Sequence, residues 1–184
     1  MGLGRLQRRA CYVDKARAEL EGLAGQGVIM AGNAFSSVLL LKGEPSAAER
    51  AGAPLLSGED GSALRAALRA LGYAPEDWAG LATWVDEGEP LSPALLRETV
   101  CALDPATIVA CDGGAAALVR EAYADELASL ERFEEAMLGD GTVAQVAGMR
   151  LLSLGGFAAA LRDADEKQVM WRRLKQLPPL GEPY

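Results

Sequence analysis

The chain of 184 residues contains no histidine, so any chemistry that it performs runs without an imidazole acid, base or metal ligand. Aromatic residues make up only 5% of the chain, and no apolar run approaches the roughly 18 residues that a membrane span needs. The N-terminal sequence carries basic residues without the apolar core of a signal peptide. These absences predict a soluble, cytoplasmic protein that does not associate with a membrane.

Cysteine is also scarce, with only Cys11, Cys101 and Cys111 present. The number is odd and the spacings are wide, which argues against a disulfide framework, and there is no CxxC pair to bind a metal. Because cysteine packs as a small apolar residue, we expect free thiols that are buried.

Acidic residues outnumber basic ones and give a net charge of −8. This charge argues against broad binding to nucleic acid, because phosphate affinity comes largely from Lys and Arg. Positive charge is nevertheless concentrated near the C-terminus, where it is carried by Arg162, Lys167, Arg172, Arg173 and Lys175. We interpret this group either as a local binding face or as the solvated end of an amphipathic helix.

Short apolar runs alternate with amphipathic segments along the chain, the pattern of strands alternating with helices. The predicted strands are 36–42, 78–85, 106–112 and a hairpin over 142–154. The predicted helices are 5–24, a helix from Ser62 that stops at Gly72, a helix with Ser92 as N-cap and Pro93 in its first turn, one or two helices over 115–138, a short helix after Gly156, and 166–177. This alternation predicts one α/β domain over 1–184, with three α/β/α layers and a mostly parallel central sheet of about four strands.

A Gly- and Pro-rich segment, 43–61, follows the first predicted strand, and open α/β sheets bind their ligands at the carboxyl ends of strands. Glu44 in this segment could orient water or act as a general base, or it could be a solvated loop residue. Asp112, at the end of the third strand, could bind a sugar hydroxyl or a metal, or cap the next helix. Asp60 is predicted to be the N-cap of the helix that begins near Ser62.

Carboxylates expected near this edge of the sheet could also bind a divalent cation, which prefers oxygen ligands. They are Glu44, Glu49, Asp86, Glu87, Glu89 and Asp112. Their spacing is not fixed in the way that a metal-binding loop requires, so we predict no metal site.

Three segments, taken in order, resemble the uracil-DNA glycosylase superfamily, and within it the short enzymes that carry an iron–sulfur cluster. They are VLLLKGEP (38–45), EDWAGLATWV (76–85) and LLSLGGFAAALRDADEKQVMWRRLKQL (151–177), and the likeness covers roughly 36–177. The resemblance implies a glycosylase-like fold and a pocket at the strand ends that receives a flipped-out base. The family's cluster needs four cysteines, so three cysteines and the missing two-cysteine N-terminal motif predict no cofactor.

The resemblance also assigns site residues, and most of them depart from the family's pattern. Glu44 stands where the family positions water, but Leu55 replaces the stacking Phe and can equally be loop packing. Trp84, with Thr83 beside it, replaces the base-reading Asn, and an indole donates one hydrogen bond but accepts none. Trp84 is interpreted as a stacking surface for another ligand or as a plug in the pocket.

The last departure concerns the family's charge-stabilising histidine. Gly156 stands at that position and leaves only backbone N–H groups, its own and that of Phe157, as donors. The leading hypothesis is therefore a degenerate glycosylase-like domain that binds DNA, a nucleotide or base, or a protein partner without conventional uracil excision. The alternatives are an atypical DNA base-excision glycosylase that uses Glu44, and an interaction module that uses the acidic helical region 115–138.

Overall fold

The computed structural model describes residues 17–85 and 88–178, which form an α/β fold as predicted. The strands are Val28–Gly32 (β1), Val38–Lys42 (β2), Ala79–Val85 (β3), Thr107–Ala110 (β4), Val143–Val146 (β5) and Met149–Ser153 (β6). The helices are 17–25 (α1), Ala47–Arg50 (α2), Glu59–Ala70 (α3), Pro93–Leu103 (α4), Gly113–Ala122 (α5), Ala124–Ala128 (α6), Phe133–Ala136 (α7), Phe157–Ala160 (α8) and Ala164–Leu174 (α9). The remainder of the predicted helix 5–24 lies outside the described residues.

The described strands form one sheet in the order β1-β3-β2-β4-β6-β5. The four central strands run parallel, whereas β1 and β5 are antiparallel to their neighbours at the two edges. The expectation of about four strands was therefore too low, since the sheet has six. The predicted hairpin over 142–154 accounts for both β5 and β6, and the strand missed was β1, a five-residue edge strand with the short apolar run VIMA.

Apolar side chains on both faces of the central strands explain why helices cover the sheet on both sides. All five residues of β2 are buried, as expected for a parallel strand in the middle of a sheet. One hydrophobic core packs α1, α4, α5 and α6 against one face, and a second core packs α3, α8 and α9 against the other. The described residues thus form the three predicted layers.

Helix boundaries follow local capping, and one prediction here was confirmed in detail. The Ser92 hydroxyl accepts a hydrogen bond from the Leu95 amide, Pro93 occupies the first turn of α4, and the helix ends at Asp104 in a left-handed conformation. The predicted helical region 115–138 is divided into α5, α6 and α7. Tyr123 leaves the helical conformation between α5 and α6, which interrupts the run.

The prediction that Asp60 caps the helix after 43–61 was wrong. Helix α3 begins at Glu59 after Gly58, which provides no side-chain cap, and Asp60 lies in the first turn. The next residue, Gly61, lies directly against the loop. A Cβ at this position would lie 1.9 Å from the carbonyl oxygen of Leu56, so any other residue would clash with the backbone of the loop. The loop and the start of α3 are therefore packed against each other.

The two cysteines in the described residues are both free, but they differ in burial. Cys111 at the end of β4 is buried, whereas Cys101 on α4 is exposed, so the expectation of burial was wrong for Cys101. Cys11 lies outside the described residues. Among the described helices, none combines the length and the apolar character needed to span a bilayer.

Candidate ligand-binding cleft

A cleft of about 930 Å³ opens at the carboxyl ends of β2 and β3, beside β1. Clefts of roughly 300–1,000 Å³ at this edge of an open α/β sheet are typical of small-molecule sites. Its walls are formed by β1, by the end of β3, by the loop after β2 and by the segment after β3. The residues that line it are Ile29, Met30, Ala31, Gly43, Pro45, Glu49, Arg50, Gly52, Ala53, Pro54, Leu55, Thr83, Trp84, Gly88 and Pro90.

Trp84 supplies the aromatic wall of the cleft, and the backbone fixes its position. It forms an isolated antiparallel bridge with Pro90, while the Val85 amide donates to the Glu89 carbonyl at 2.9 Å. The Trp84 side chain is half-buried and packs partly against the second core. Part of the ring is therefore held in place and part remains available to a ligand.

Thr83 and Leu55, the other two residues predicted to bind a ligand beside Trp84, also line the cleft. Leu55 is only 6% exposed and packs with the second core, so it contributes an apolar floor rather than a mobile side chain. The strands and loop therefore bring together three of the predicted binding residues. They do so because β2 and β3 are adjacent parallel strands whose carboxyl ends meet at one edge.

The loop that carries Leu55 is shaped by Glu49. The Glu49 carboxylate accepts hydrogen bonds from the Ser46 amide at 2.7 Å and from the Leu56 amide at 2.8 Å. The Ser46 hydroxyl in turn accepts from the Glu49 amide at 3.2 Å, which completes a capping box. One side chain thus connects both ends of the loop 46–56.

Glu49 also belongs to a buried ion cluster that the sequence did not reveal. The Lys42 ammonium, at the end of β2, lies 2.7 Å from Glu49 Oε2 and 2.5 Å from Asp60 Oδ2. The side chains of Lys42 and Glu49 are each only 4% exposed, and that of Asp60 is 12% exposed. We call Lys42, Glu49 and Asp60 the ion triad; it ties β2, the loop and α3 together behind the cleft.

Lys42 and Glu49 keep their charges at neutral pH despite their burial. Burial alone would lower the pKa of Lys42, but hydrogen bonds to Asp60 and Glu49 outweigh it, and the pKa is raised above its ordinary value of 10.5. For Glu49, burial alone would raise the pKa, but the hydrogen bonds from Lys42 and from the Ser46 and Leu56 amides lower it below 4.5. The Glu49 carboxylate in the cleft wall is therefore paired with Lys42, a cation that it shares with Asp60.

Arg50 is the other charged residue that lines the cleft in the described part of the chain. It is exposed at the end of α2 and makes no ion pair within 17–85 and 88–178. Arg50 therefore adds an exposed guanidinium to this wall, separate from the ion triad of one cation and two carboxylates. Such a guanidinium suits a phosphate or carboxylate of a bound ligand.

Asp112, the predicted binding or capping residue, serves as a cap and a connector. Its carboxylate accepts hydrogen bonds from the amides of Gly43 at 2.9 Å, Glu44 at 3.0 Å and Ala115 at 2.9 Å. A Cβ on Gly43 would lie 2.2 Å from the Ala115 amide nitrogen, so this close approach requires glycine. Asp112 is 7% exposed and has its oxygens occupied by these amides.

Gly156 and Phe157 lie at the junction of β4 and β6 and do not line the cleft. The Phe157 amide donates to the Cys111 carbonyl at 2.9 Å, and its ring is buried in the second core. Gly156 bridges Asp112 and precedes α8. The Phe157 N–H is therefore engaged within the protein and does not face a ligand in the cleft.

Glu44 lies next to both Asp112 and the cleft. Its amide is held by Asp112 Oδ2, its side chain is exposed, and the residues on either side, Gly43 and Pro45, line the cleft. Within the described residues, no group of three or more Asp, Glu, Cys or His side chains is arranged to hold a metal ion. Asp86 and Glu87, two of the carboxylates considered for such a site, lie outside the described residues.

The ion triad and Arg50 are the features of this site that sequence reasoning missed. A signal for the triad was present, because Lys42 ends a strand predicted to be buried on both faces, and a buried lysine requires a partner. The acidic residues of the following loop were the available partners. Arg50 carried no such signal, since an exposed arginine in a loop is ordinary.

No protein-family model matches this chain, and a search of curated proteins found no significant match. The resemblance to uracil-DNA glycosylases therefore stays a prediction drawn from the residues of the chain itself.

Proposed function

We propose that this chain binds a nucleobase-bearing ligand, either a nucleotide or an unpaired base of DNA, on a degenerate uracil-DNA glycosylase-like scaffold that does not carry out conventional uracil excision. The observation that carries the proposal is the cleft at the carboxyl ends of β2 and β3, with Trp84 and Leu55 in its walls. An indole face and an apolar floor suit a planar ring, and Arg50 suits its phosphate.

The chemistry available in the cleft favours binding over excision. Release of a base breaks the bond to the sugar carbon, and the electron pair leaves with the base, so a donor must stabilise the new negative charge. The chain has no histidine, and the Phe157 amide is bonded to Cys111. The side-chain donors that line the cleft are the Arg50 guanidinium, the Thr83 hydroxyl and the Trp84 indole N–H, and none of them stands at the family's histidine position, which is Gly156 in this chain.

Binding can be tested by titrating the protein with uridine monophosphate, adenosine monophosphate and a short uracil-containing single strand, with calorimetric detection. Base–aromatic stacking contributes about 1–3 kcal/mol by alanine substitution, so Trp84→Ala should weaken binding by about 5- to 150-fold. Phe35→Ala is the matched control, because Phe35 is 73% exposed but does not line the cleft. Binding that survives Trp84→Ala unchanged, or absence of binding to all three probes, contradicts the proposal.

The role of charge is tested in the same way with a pair of arginines. Arg50 and Arg69 are both exposed and both lie in the last turn of a helix, but only Arg50 lines the cleft. Arg50→Ala should weaken binding of the monophosphates more than binding of the free bases, whereas Arg69→Ala should change neither. Equal losses for the two variants would show that general surface charge, not the cleft, attracts the ligand.

A second candidate function is base excision with Glu44 as the residue that orients water. The observation that favours it is the exposed Glu44 side chain, on a backbone fixed by Asp112 and flanked by two cleft residues. The test is release of uracil, hypoxanthine or xanthine from single- and double-stranded DNA. Release that Glu44→Gln abolishes would establish this activity and overturn the binding-only proposal.

A further inference from the structure

Strand β1 is an edge of the six-stranded sheet, and within the described residues it pairs only with β3. Its sequence, VIMAG, contains no charged residue and no proline. Edge strands are commonly protected from pairing with another chain by charge, by proline or by a bulge. The register of β1 with β3 is irregular between Val28 and Met30 and continuous from Met30 to Gly32. This last stretch is therefore open to a further strand.

The hydrogen-bonding pattern shows which backbone groups of β1 point away from β3. The Asn33 amide donates to the Trp78 carbonyl at 2.8 Å, three positions along the register from Met30, which lies opposite Leu81. Residues of an antiparallel pair alternate between exchanging hydrogen bonds with the neighbouring strand and pointing away from it. The N–H and C=O of Met30 and the N–H of Gly32 therefore point outward, and none of the described residues forms a hydrogen bond with them.

A small apolar pocket of about 120 Å³ borders the same stretch of β1, on the face of the sheet that α1 and α4 cover. Residues with short side chains leave this space, and they line it together with one leucine each from α1 and α4: Gly32, Ala34, Ala79, Gly80, Leu20 and Leu103. All the residues that line it are apolar. An apolar cavity of about 150 Å³ holds one benzene molecule, so this pocket has room for one aliphatic side chain.

The ligand-binding cleft borders β1 as well. Ile29, Met30 and Ala31 line the cleft, and Met30 and Ala31 also line the small pocket. The side chains of Ile29 and Ala31 pack with the second core, whereas that of Met30 packs with the first. Residues directly opposite each other on neighbouring strands have their side chains on the same face, and the faces alternate along a strand. An added strand would therefore place the side chain opposite Met30 beside the small pocket and the next side chains beside the cleft.

We propose that the edge of β1 binds an extended peptide segment of a partner protein by β-strand addition, with one apolar side chain of the partner in the small pocket. The outward groups of Met30 suit the backbone of a strand, and the pocket beside them selects the side chain. A second copy of this chain meets only the first requirement, because Ile29, Met30 and Ala31 of its β1 already pack in its own cores. The net charge of −8 on each copy also opposes self-association.

The inference does not depend on the proposed function, because it uses the backbone of β1 and the small pocket rather than a nucleobase in the cleft. Fluorescence anisotropy with labelled heptapeptides of sequence Thr-Gln-Thr-X-Thr-Gln-Thr tests it, with Leu, Val or Phe at the central position X. We expect a dissociation constant on the order of 100 μM for at least one of them. Replacing X with Lys, which the apolar pocket would desolvate, should weaken binding by about tenfold or more.

The backbone contribution is tested by methylating the amide nitrogen of X. This nitrogen would donate to the Met30 carbonyl, so its methylation should weaken binding by about tenfold. Met30→Pro removes the outward N–H on the protein side, which the pairing of β1 with β3 does not use, and should also weaken binding by about tenfold. These losses distinguish strand addition from docking of a side chain alone.

The pocket is tested by Ala34→Leu, which fills it without changing the sequence of β1 and should weaken binding by about tenfold or more. The matched control is Ala24→Leu, the same substitution at an exposed position of α1 that does not line the pocket. Circular dichroism should confirm that the variants are folded. Ala34→Leu and the methylated peptide carry the test if Met30→Pro does not fold.

Failure of all three heptapeptides to bind at about 1 mM protein overturns the inference. So does binding that survives methylation of the central amide, and so does binding to Ala34→Leu that is as tight as binding to Ala24→Leu. Sedimentation velocity at about 100 μM should show a monomer in the absence of peptide. A dimer that Met30→Pro dissociates would assign the edge to a second copy of the chain and would overturn the inference too.

Discussion

Removal of the Lys42 ammonium tests how the ion triad supports the cleft. In Lys42→Met the carboxylates of Glu49 and Asp60 remain buried beside each other without their cation, which lies 2.7 and 2.5 Å from them in the native protein. Removing one partner of a buried ion pair costs about 3–5 kcal/mol. In a protein of 184 residues, such a loss lowers the midpoint of thermal unfolding by about 6–20 °C.

The pH dependence separates this mechanism from a simple loss of packing. The pKa of Glu49 is lowered in the folded state, so its contribution to stability is present above pH 4.5 and is lost as the pH falls through the folded value. The pKa of Lys42 is raised, so its contribution is complete below pH 10.5 and is lost as the pH rises through its folded value. The difference in unfolding free energy between wild type and Lys42→Met should therefore be large near pH 7 and shrink below pH 4.5.

Urea unfolding of wild type, Lys42→Met and Arg69→Met at several pH values measures these differences. Arg69 is an exposed cation on α3, the helix that carries Asp60, and its replacement should change the unfolding free energy by no more than about 0.5 kcal/mol. Replacing Asp60 with Asn in the Lys42→Met background should recover part of the loss, because one buried charge is removed. A loss below about 1 kcal/mol for Lys42→Met, or one that does not change with pH, would refute the reasoning.

Two further predictions concern buried polar groups. Asp112→Ala removes the cap of α5 and leaves the amides of Gly43 and Glu44 without their acceptor. The free energy of unfolding, measured with urea, should fall by about 2–4 kcal/mol. A fall of under about 1 kcal/mol would contradict the role of Asp112 as a connector. Burial, followed by the nearby charge of Asp112, raises the pKa of the Cys111 thiol, whereas Cys101 is exposed. Peptide mapping after iodoacetamide treatment at about pH 8 should therefore find Cys101 modified and Cys111 protected until the protein is unfolded. Equal labelling of both cysteines in the native protein would refute this prediction.

Much of the fold could be predicted because local patterns were unambiguous. The apolar run of β2 predicted a buried parallel strand, and Ser92 with Pro93 predicted the start of α4. Strand β1 was missed because an apolar run as short as VIMA does not by itself distinguish a strand from part of a helix. Its position is determined by pairing with β3, which is a long-range contact.

The cleft was predictable in part for the same reason. The resemblance to the glycosylase superfamily assigned Leu55 and Trp84 to one pocket at the strand ends, and both line the cleft, but the size of the cleft was not predicted. Asp60 was assigned to a cap because capping is the commonest local role of an acidic residue at a helix start. In the structure Gly58 is the N-cap, and Asp60 pairs with the buried Lys42 from the first turn of α3.

The proposal that the cleft binds a nucleobase is tested most directly by following the indole N–H resonances during titration with uridine monophosphate. The protein contains three tryptophans, and Trp84 alone of these lines the cleft, while Trp78 packs against Arg65 and Trp171 lies on α9. We predict that the Trp84 resonance shifts with saturation while those of Trp78 and Trp171 remain in place. A Trp84 resonance that stays unchanged, or one that moves no more than the other two, would contradict the account.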